Sequence, residues 1–191
     1  MSGGPARAFV ALALDAELAR HVSAEVERAL GRSNDLRTTR AEALHLTLFF
    51  LGDTERQHLV EIAAELERTL HGLAAPELRL TGTGSFPERG APRVLWIGLE
   101  ERARAGRLAA LREDVLAALE RCAIDVREER ERPFRAHLTV ARAKVDRPLV
   151  PEAFRRLEFD EHWTPREVML YESHLGGGPA RHEALARVAL A

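Results

Sequence analysis

The chain is poor in cysteine and aromatics and has no long apolar run: its 191 residues include one Cys (Cys122), one Tyr, two Trp and seven Phe. One cysteine closes no internal disulfide and builds no Cys-based zinc site, so a reducing, cytoplasmic setting is expected. No apolar stretch approaches the ~18 residues a membrane span needs, and no membrane association is expected. The short run "AFVALAL" at 8–14 follows Arg7 but continues into the amphipathic "DAELARHVSAEVERALG", the wrong flank for a cleaved signal. A surplus of one charge is missing too. The formal net charge of -2 excludes a broad positive face that coats duplex nucleic acid, yet leaves room for one or two phosphates in an arginine-lined cleft.

What is present fits a globular fold. Apolar residues make up 46% and charged residues of both signs 30%, which excludes global disorder. No segment has the length or composition of a flexible linker, so residues 1–191 read as a single domain, expected to be a monomer. Along the chain, "FVALAL" (9–14) reads as a strand closed by Asp15 as N-cap. Leu18, Val22, Val26 and Leu30 then mark a helix over 16–30 that stops at Gly31. "LHLTLFFL" (44–51) is the next strand. Thr54 and Gln57 form an expected capping box, and Leu59, Ile62, Leu66 and Leu70 mark the following helix. Strands at 78–80 and 93–99, a helix around 103–121, a strand at 137–143, a short helix near 151–156 and strands at 166–175 and 183–190 complete the reading. Two segments, 32–40 and 127–135, are arginine-rich and read as exposed charged surface.

The chemistry lies in a repeated tripeptide. "EALHLTLFFLGD" (42–53) and "FRAHLTVARAK" (134–144) both carry His-Leu-Thr, 92 residues apart. Random order of eight His and nine Thr gives about 0.4 His-x-Thr tripeptides in a chain of this length. Two copies that share the leucine and lie in apolar strands are hard to ascribe to chance. Strand side chains alternate faces, so His45 and Thr47 point one way while Leu46 and Leu48 point the other. His137 and Thr139 stand in the same relation to Leu138 and Val140.

The spacing suggests an α+β fold of two similar lobes, roughly 1–100 and 101–191. Each lobe would hold a mostly antiparallel sheet with helices outside, the motif strands facing a central cleft. Two imidazoles and two hydroxyls across a cleft suit a phosphodiester. The hydroxyls bond the non-bridging oxygens, one imidazole activates water and the other protonates the leaving oxygen, with no metal or cofactor required. A zinc site is disfavoured because neither strand has paired His at ligand spacing and His-Glu-x-x-His is absent.

At these residues the sequence resembles the two-histidine (2H) phosphoesterases, and among them the RNA 2′,3′-cyclic phosphodiesterases, also called 2′-5′ RNA ligases. The resemblance rests on "RAFVAL" (7–12), "LHLTLFFLGD" (44–53), "FPERGAPRVLWIGL" (86–99), "FRAHLTVAR" (134–142) and "LYESHL" (170–175). It implies opening of a terminal RNA 2′,3′-cyclic phosphate to a 2′-phosphomonoester, with reverse 2′-5′ ligation. The implied roles are His45 as proton donor to the departing 3′ oxygen and His137 as proton acceptor for water. Thr47, Thr139 and Arg142 would hold phosphate oxygens. Regular alternation from His137 points Arg142 away from the cleft, so that contact requires a bulge or twist. The place after the first motif that matches Arg142 is Phe50. The family often has proline before the second motif and a C-terminal tyrosine; this chain has Ala136 and His182. Phe9, Phe49, Phe50 and Phe86 could stack a base, with Phe9 and Phe50 the foremost candidates, whereas Trp96 reads as core. The partners implied are RNA 3′ ends or nucleotides bearing a 2′,3′-cyclic phosphate. Two alternatives stay open: a non-catalytic nucleotide- or RNA-end-binding module, and a phosphodiesterase for a small cyclic nucleotide derivative.

Overall fold

A computed structural model describes residues 4–102, 106–174 and 181–191. The start of the helix expected from 103, and Leu175 at the end of an expected strand, lie outside the described residues. In chain order the elements are β1 (Ala6–Ala13), α1 (Ala16–Leu30), β2 (Leu36–Thr38), β3 (His45–Thr54), α2 (Arg56–Leu70), β4 (Leu78–Phe86) and β5 (Val94–Glu101). There follow α3 (Arg107–Arg121), α4 (Arg127–Glu131), β6 (His137–Ala143), α5 (Glu152–Arg155), β7 (His162–Trp163), β8 (Glu167–His174) and β9 (Arg181–Ala189).

Among the described residues the nine strands form one sheet, in the order β7-β4-β5-β6-β3-β1-β8-β9, with β2 paired to β6. All the pairings are antiparallel. The two motif strands are neighbours at its centre, joined through one residue pair, Leu46 opposite Leu138. On one side lie β1, β8 and β9; on the other lie β5, β4 and β7. Strands therefore cross between the halves of the sequence: β8 and β9 come from the C-terminus yet stand beside β1, while β4 and β5 stand beside β6. The groups of strands around each motif do not follow a division near residue 100.

The helices form where apolar residues recur at helical spacing. Val22 and Val26 of α1, Ile62 and Leu66 of α2, and Val115 and Leu119 of α3 are all buried and join one core with Leu46, Leu48, Leu138 and Val140. The leucine face of each motif strand is thus held in the core, leaving its histidine and threonine on the opposite face. Asp15 caps the start of α1 by position only, with no side-chain cap hydrogen bond. The expected capping box at Thr54 does not form. Thr54 belongs to β3, its hydroxyl bonds the Gly52 carbonyl, and Glu55 stands at the N-cap. The arginine-rich 127–135 segment contains the short α4, on which Arg130 pairs with Glu113 and Glu120. Among the described residues, no helix is long and apolar enough to cross a membrane.

Candidate active site

His45, Thr47, His137 and Thr139 line one groove of about 620 Å³, a volume suited to a nucleotide-sized ligand. Leu46 and Leu138, the one pair that joins β3 and β6, point into the core, so the histidine and threonine flanking each leucine face the groove from both strands. The two imidazoles are near enough for a charge on His137 to act on His45.

Each imidazole is held in the same way. His45 Nδ1 donates to the Ala43 carbonyl at 2.7 Å, and His137 Nδ1 donates to the Arg135 carbonyl at 2.8 Å. A carbonyl only accepts, so Nδ1 carries the proton in both neutral rings and Nε2 is left for proton transfer. Burial lowers the His45 pKa to about 4 against the opposing Ala43 hydrogen bond, with nearby His182, Arg142 and His137 adding to the effect. His137 is also lowered, chiefly by burial, with Arg142 and Arg135 contributing. Among the described residues, neither the Thr47 nor the Thr139 hydroxyl has a protein hydrogen-bond partner, so both face the groove uncommitted.

Arg142 also lines the groove, and a bulge brings it there. Opposite β6, consecutive residues Leu95 and Trp96 of β5 pair with Ala141 and Thr139, so Val140 is the extra residue. Val140 and Ala141 are consecutively buried, the alternation shifts by one, and Arg142 returns to the histidine face. The first motif repeats the device. Val10 and Ala11 of β1 pair with Phe49 and Thr47, which makes Leu48 the extra residue. Leu48 and Phe49 are both buried, and Phe50 emerges on the groove face with 63% of its surface exposed. Phe50 and Arg142 thus occupy matching places: an aromatic face on one side and a cation on the other.

Aromatic rings back both histidines. Phe9 packs on His45 at 4.8 Å between ring centres, and Phe86 meets His137 edge-on at 5.1 Å. Phe9 is only 2% exposed, which corrects its expected role as a stacking face; its ring supports the imidazole instead. Trp96 is half-buried rather than core. It lies over Gly84, 5.4 Å from Phe86 and 6.3 Å from His137, because a Cβ at Gly84 would fall 2.2 Å from the indole. Spacing gave no partner for His182, yet β9 brings it edge-on to His45 at 5.2 Å and to Phe9 at 4.9 Å. Its Nδ1 is buried without a partner, so the less costly neutral tautomer carries its proton on Nε2, and the ring offers the groove a donor. The sequence signal was slight: one histidine in an alternating C-terminal strand.

The electrostatics favour an anion. Among the described residues, Arg7, Arg37, Arg40 and Arg142 line the groove and no Asp or Glu does. Among the described residues, no cluster of three or more His, Cys, Asp and Glu side chains is placed to hold a metal ion. The model of the 2′-5′ RNA ligase superfamily matches residues 14–177, spanning both motif strands and the groove between them. The chain belongs to this superfamily. Its relatives include a Thermotoga maritima protein, 30% identical over 85% of this chain and 81% of its own, named RNA 2′,3′-cyclic phosphodiesterase. One from Archaeoglobus fulgidus with the same name is 32% identical over 78% of this chain and 80% of its own. A crystal structure of a Thermus thermophilus protein superposes with a TM-score of 0.80 at 29% identity, covering 96% of this chain and 97% of that one. In this member of the superfamily, the groove of paired His-x-Thr strands is the candidate active site.

Proposed function

We propose that the protein hydrolyses terminal RNA 2′,3′-cyclic phosphates to 2′-phosphomonoesters, with His45 and His137 as its acid–base pair. One observation carries the reading: two identically tethered imidazoles, one from each motif strand, line a single anion-favouring groove. An in-line displacement sets the entering and departing oxygens on opposite sides of phosphorus, which calls for two such groups, one as acid and one as base. The names of the superfamily relatives supply the substrate class.

In this mechanism His137 Nε2 takes a proton from water as its oxygen attacks phosphorus. The bond from phosphorus to the 3′ oxygen breaks, and His45 Nε2 protonates that oxygen, leaving a 3′ hydroxyl and a 2′ phosphate. Thr47 and Thr139 hydroxyls and the Arg142 guanidinium bond the non-bridging oxygens. Before substrate binds, burial keeps His45 neutral at pH 7; a bound phosphate anion opposes that effect and favours the protonated acid. The exposed face of Phe50 stacks the terminal base. With a 5′ hydroxyl in place of water, the same pair would form a 2′-5′ linkage.

The test is incubation of RNA ending in a 2′,3′-cyclic phosphate with the protein in excess chelator, followed by identification of the phosphate position. A 2′-phosphate formed without added metal is expected. Alanine at His45 or His137 should each lower turnover by ~10²–10⁴ in a folded protein. Near-wild-type turnover in both variants, or strict dependence on an added metal, would remove the proposal.

A further inference from the structure

The groove has two apolar wings, and hydrolysis uses one. Phe50, Phe9 and His182 line the first, with Phe9 6.0 Å from Phe50 and 4.9 Å from His182 between ring centres. The second runs the other way from the motif strands, through β5 to β4. Antiparallel register sets Phe86 opposite Val94 and Val94 opposite Arg142, so these three form one row across β4, β5 and β6. Residues so paired share a face of the sheet, and all three line the groove. The next row holds Gly84, Trp96 and Thr139, the glycine making room for the indole. Phe86, Val94 and Trp96 are each half-buried rather than sealed in the core.

The chemistry of this second wing points to an uncharged planar ligand. Arg135 stands over the Phe86 and Trp96 rings, 5.8 and 5.6 Å from their centres, and is ion-paired with Glu88. A guanidinium already neutralised by a carboxylate is poorly suited to a further phosphate. Nucleobases, by contrast, stack on aromatic rings and on guanidinium planes alike. Position adds a second argument. Phe86 meets His137 edge-on at 5.1 Å, and His137 is the group that takes the proton from the entering oxygen. Water brings nothing else with it and leaves the wing uncovered. A 5′ oxygen brings a ribose and a base, which must lie on the entering side of phosphorus, away from the nucleoside whose 3′ oxygen departs.

We propose that Phe86, Val94 and Trp96, with Arg135 over them, form a subsite for a second nucleoside, the one that supplies a 5′ hydroxyl in place of water. This rests on the hydrolytic reading above, which makes His137 the base and Phe50 the platform for the first nucleoside. The 5′ oxygen bonds phosphorus as its proton passes to His137. The bond to the 3′ oxygen breaks, and His45 protonates that oxygen. The product is a 2′-5′ diester with a free 3′ hydroxyl, and no water is consumed.

Calorimetry with three inert diesters of equal charge tests the subsite. They are 3′-deoxyadenosine 2′-(methyl phosphate), 3′-deoxyadenylyl-(2′→5′)-adenosine, and the same dinucleotide with an abasic second ribose. The missing 3′ hydroxyl prevents cleavage back to the cyclic phosphate. Wild-type protein is expected to bind the dinucleotide at least about fivefold tighter than the methyl diester, the low end for one stacked base. The abasic probe is expected to lose that gain. Phe86→Ala is expected to bring the ratio of the two affinities close to one, and Phe86→Tyr to keep it. Phe50→Ala, which touches the nucleoside common to all three probes, is expected to weaken every probe and leave the ratio unchanged. No gain in wild type, a gain that the abasic probe matches, or a gain that folded Phe86→Ala keeps, overturns the subsite.

Because the ratio is read without turnover, it is separable from hydrolysis. A dinucleotide preference lost in Phe86→Ala would sustain the subsite even if no cyclic phosphate were cleaved. A missing preference in an enzyme that opens cyclic phosphates would sink the subsite alone.

Discussion

Replacing His45 with Asn should make the protein less sensitive to acid, by an amount the structure sets. The asparagine amide can take the place of Nδ1 on the Ala43 carbonyl, so the substitution removes a titrating group while keeping its tether. The wild-type ring has a pKa of about 4 in the folded state, against an unperturbed value of 6.5. Because the folded value is the lower one, the unfolded chain binds the proton first as pH falls. Stability from the neutral ring is therefore complete above about pH 6.5 and is lost on the way down to 4. The linkage relation puts that loss at about 2 kcal/mol by pH 5 and about 3 kcal/mol by pH 4. Other groups, including carboxylates and the lowered His137 and His182, titrate in both proteins and largely cancel in the comparison. Urea unfolding followed by circular dichroism at pH 8, 7, 6 and 5 gives the difference. The variant should gain about 2 kcal/mol on wild type between pH 8 and pH 5, whatever their offset at pH 8. A difference that stays flat with pH would show that the folded protein does not hold His45 as a buried neutral ring.

The proposed mechanism carries the same lowered values into catalysis. With His45 and His137 as acid and base, both held below the ordinary 6.5, kcat/KM should peak on the acidic side of that value. A pH profile peaking above 7 would refute this. Phe50→Ala removes an exposed ring and should weaken nucleotide binding by ~1–3 kcal/mol, read as a raised Kd for a 2′-nucleotide by calorimetry, with thermal stability little changed. Gly84→Ala drives a methyl into the Trp96 indole and should cost about 1–3 kcal/mol in a melting experiment. Adding Trp96→Leu should recover part of that loss, whereas an unchanged Tm in the single variant would contradict the close approach.

Much of the candidate site's geometry was legible because strand alternation is a local rule. His45 with Thr47, and His137 with Thr139, had to share faces once their leucines belonged to the core, and the structure buries Leu46 and Leu138 fully. The three long helices were equally readable from their apolar spacing. Legibility ended where the rule was interrupted. Alternation counted from His137 sends Arg142 away from the groove, and only the bulge at Val140 brings it back. Trp96 looked like core because its neighbours Leu95 and Ile97 are buried, yet its ring fills space left by a glycine twelve residues earlier. His182 carried no spacing signal, since its partner His45 lies at the other end of the chain.

The sequence by itself determined two rigid apolar strands, each presenting an imidazole and a hydroxyl, because period-two alternation and helical spacing need only near neighbours. Tertiary structure alone decided that the leucines of the two strands pair at the centre of one sheet, and that β8 and β9 from the C-terminus stand beside β1 while β4 and β5 stand beside β6. It also decided that paired bulges turn Phe50 and Arg142 inward and that β2 sets a second arginine against the first. Register and bulges arise between strands distant in sequence, through hydrogen bonds that no single segment specifies.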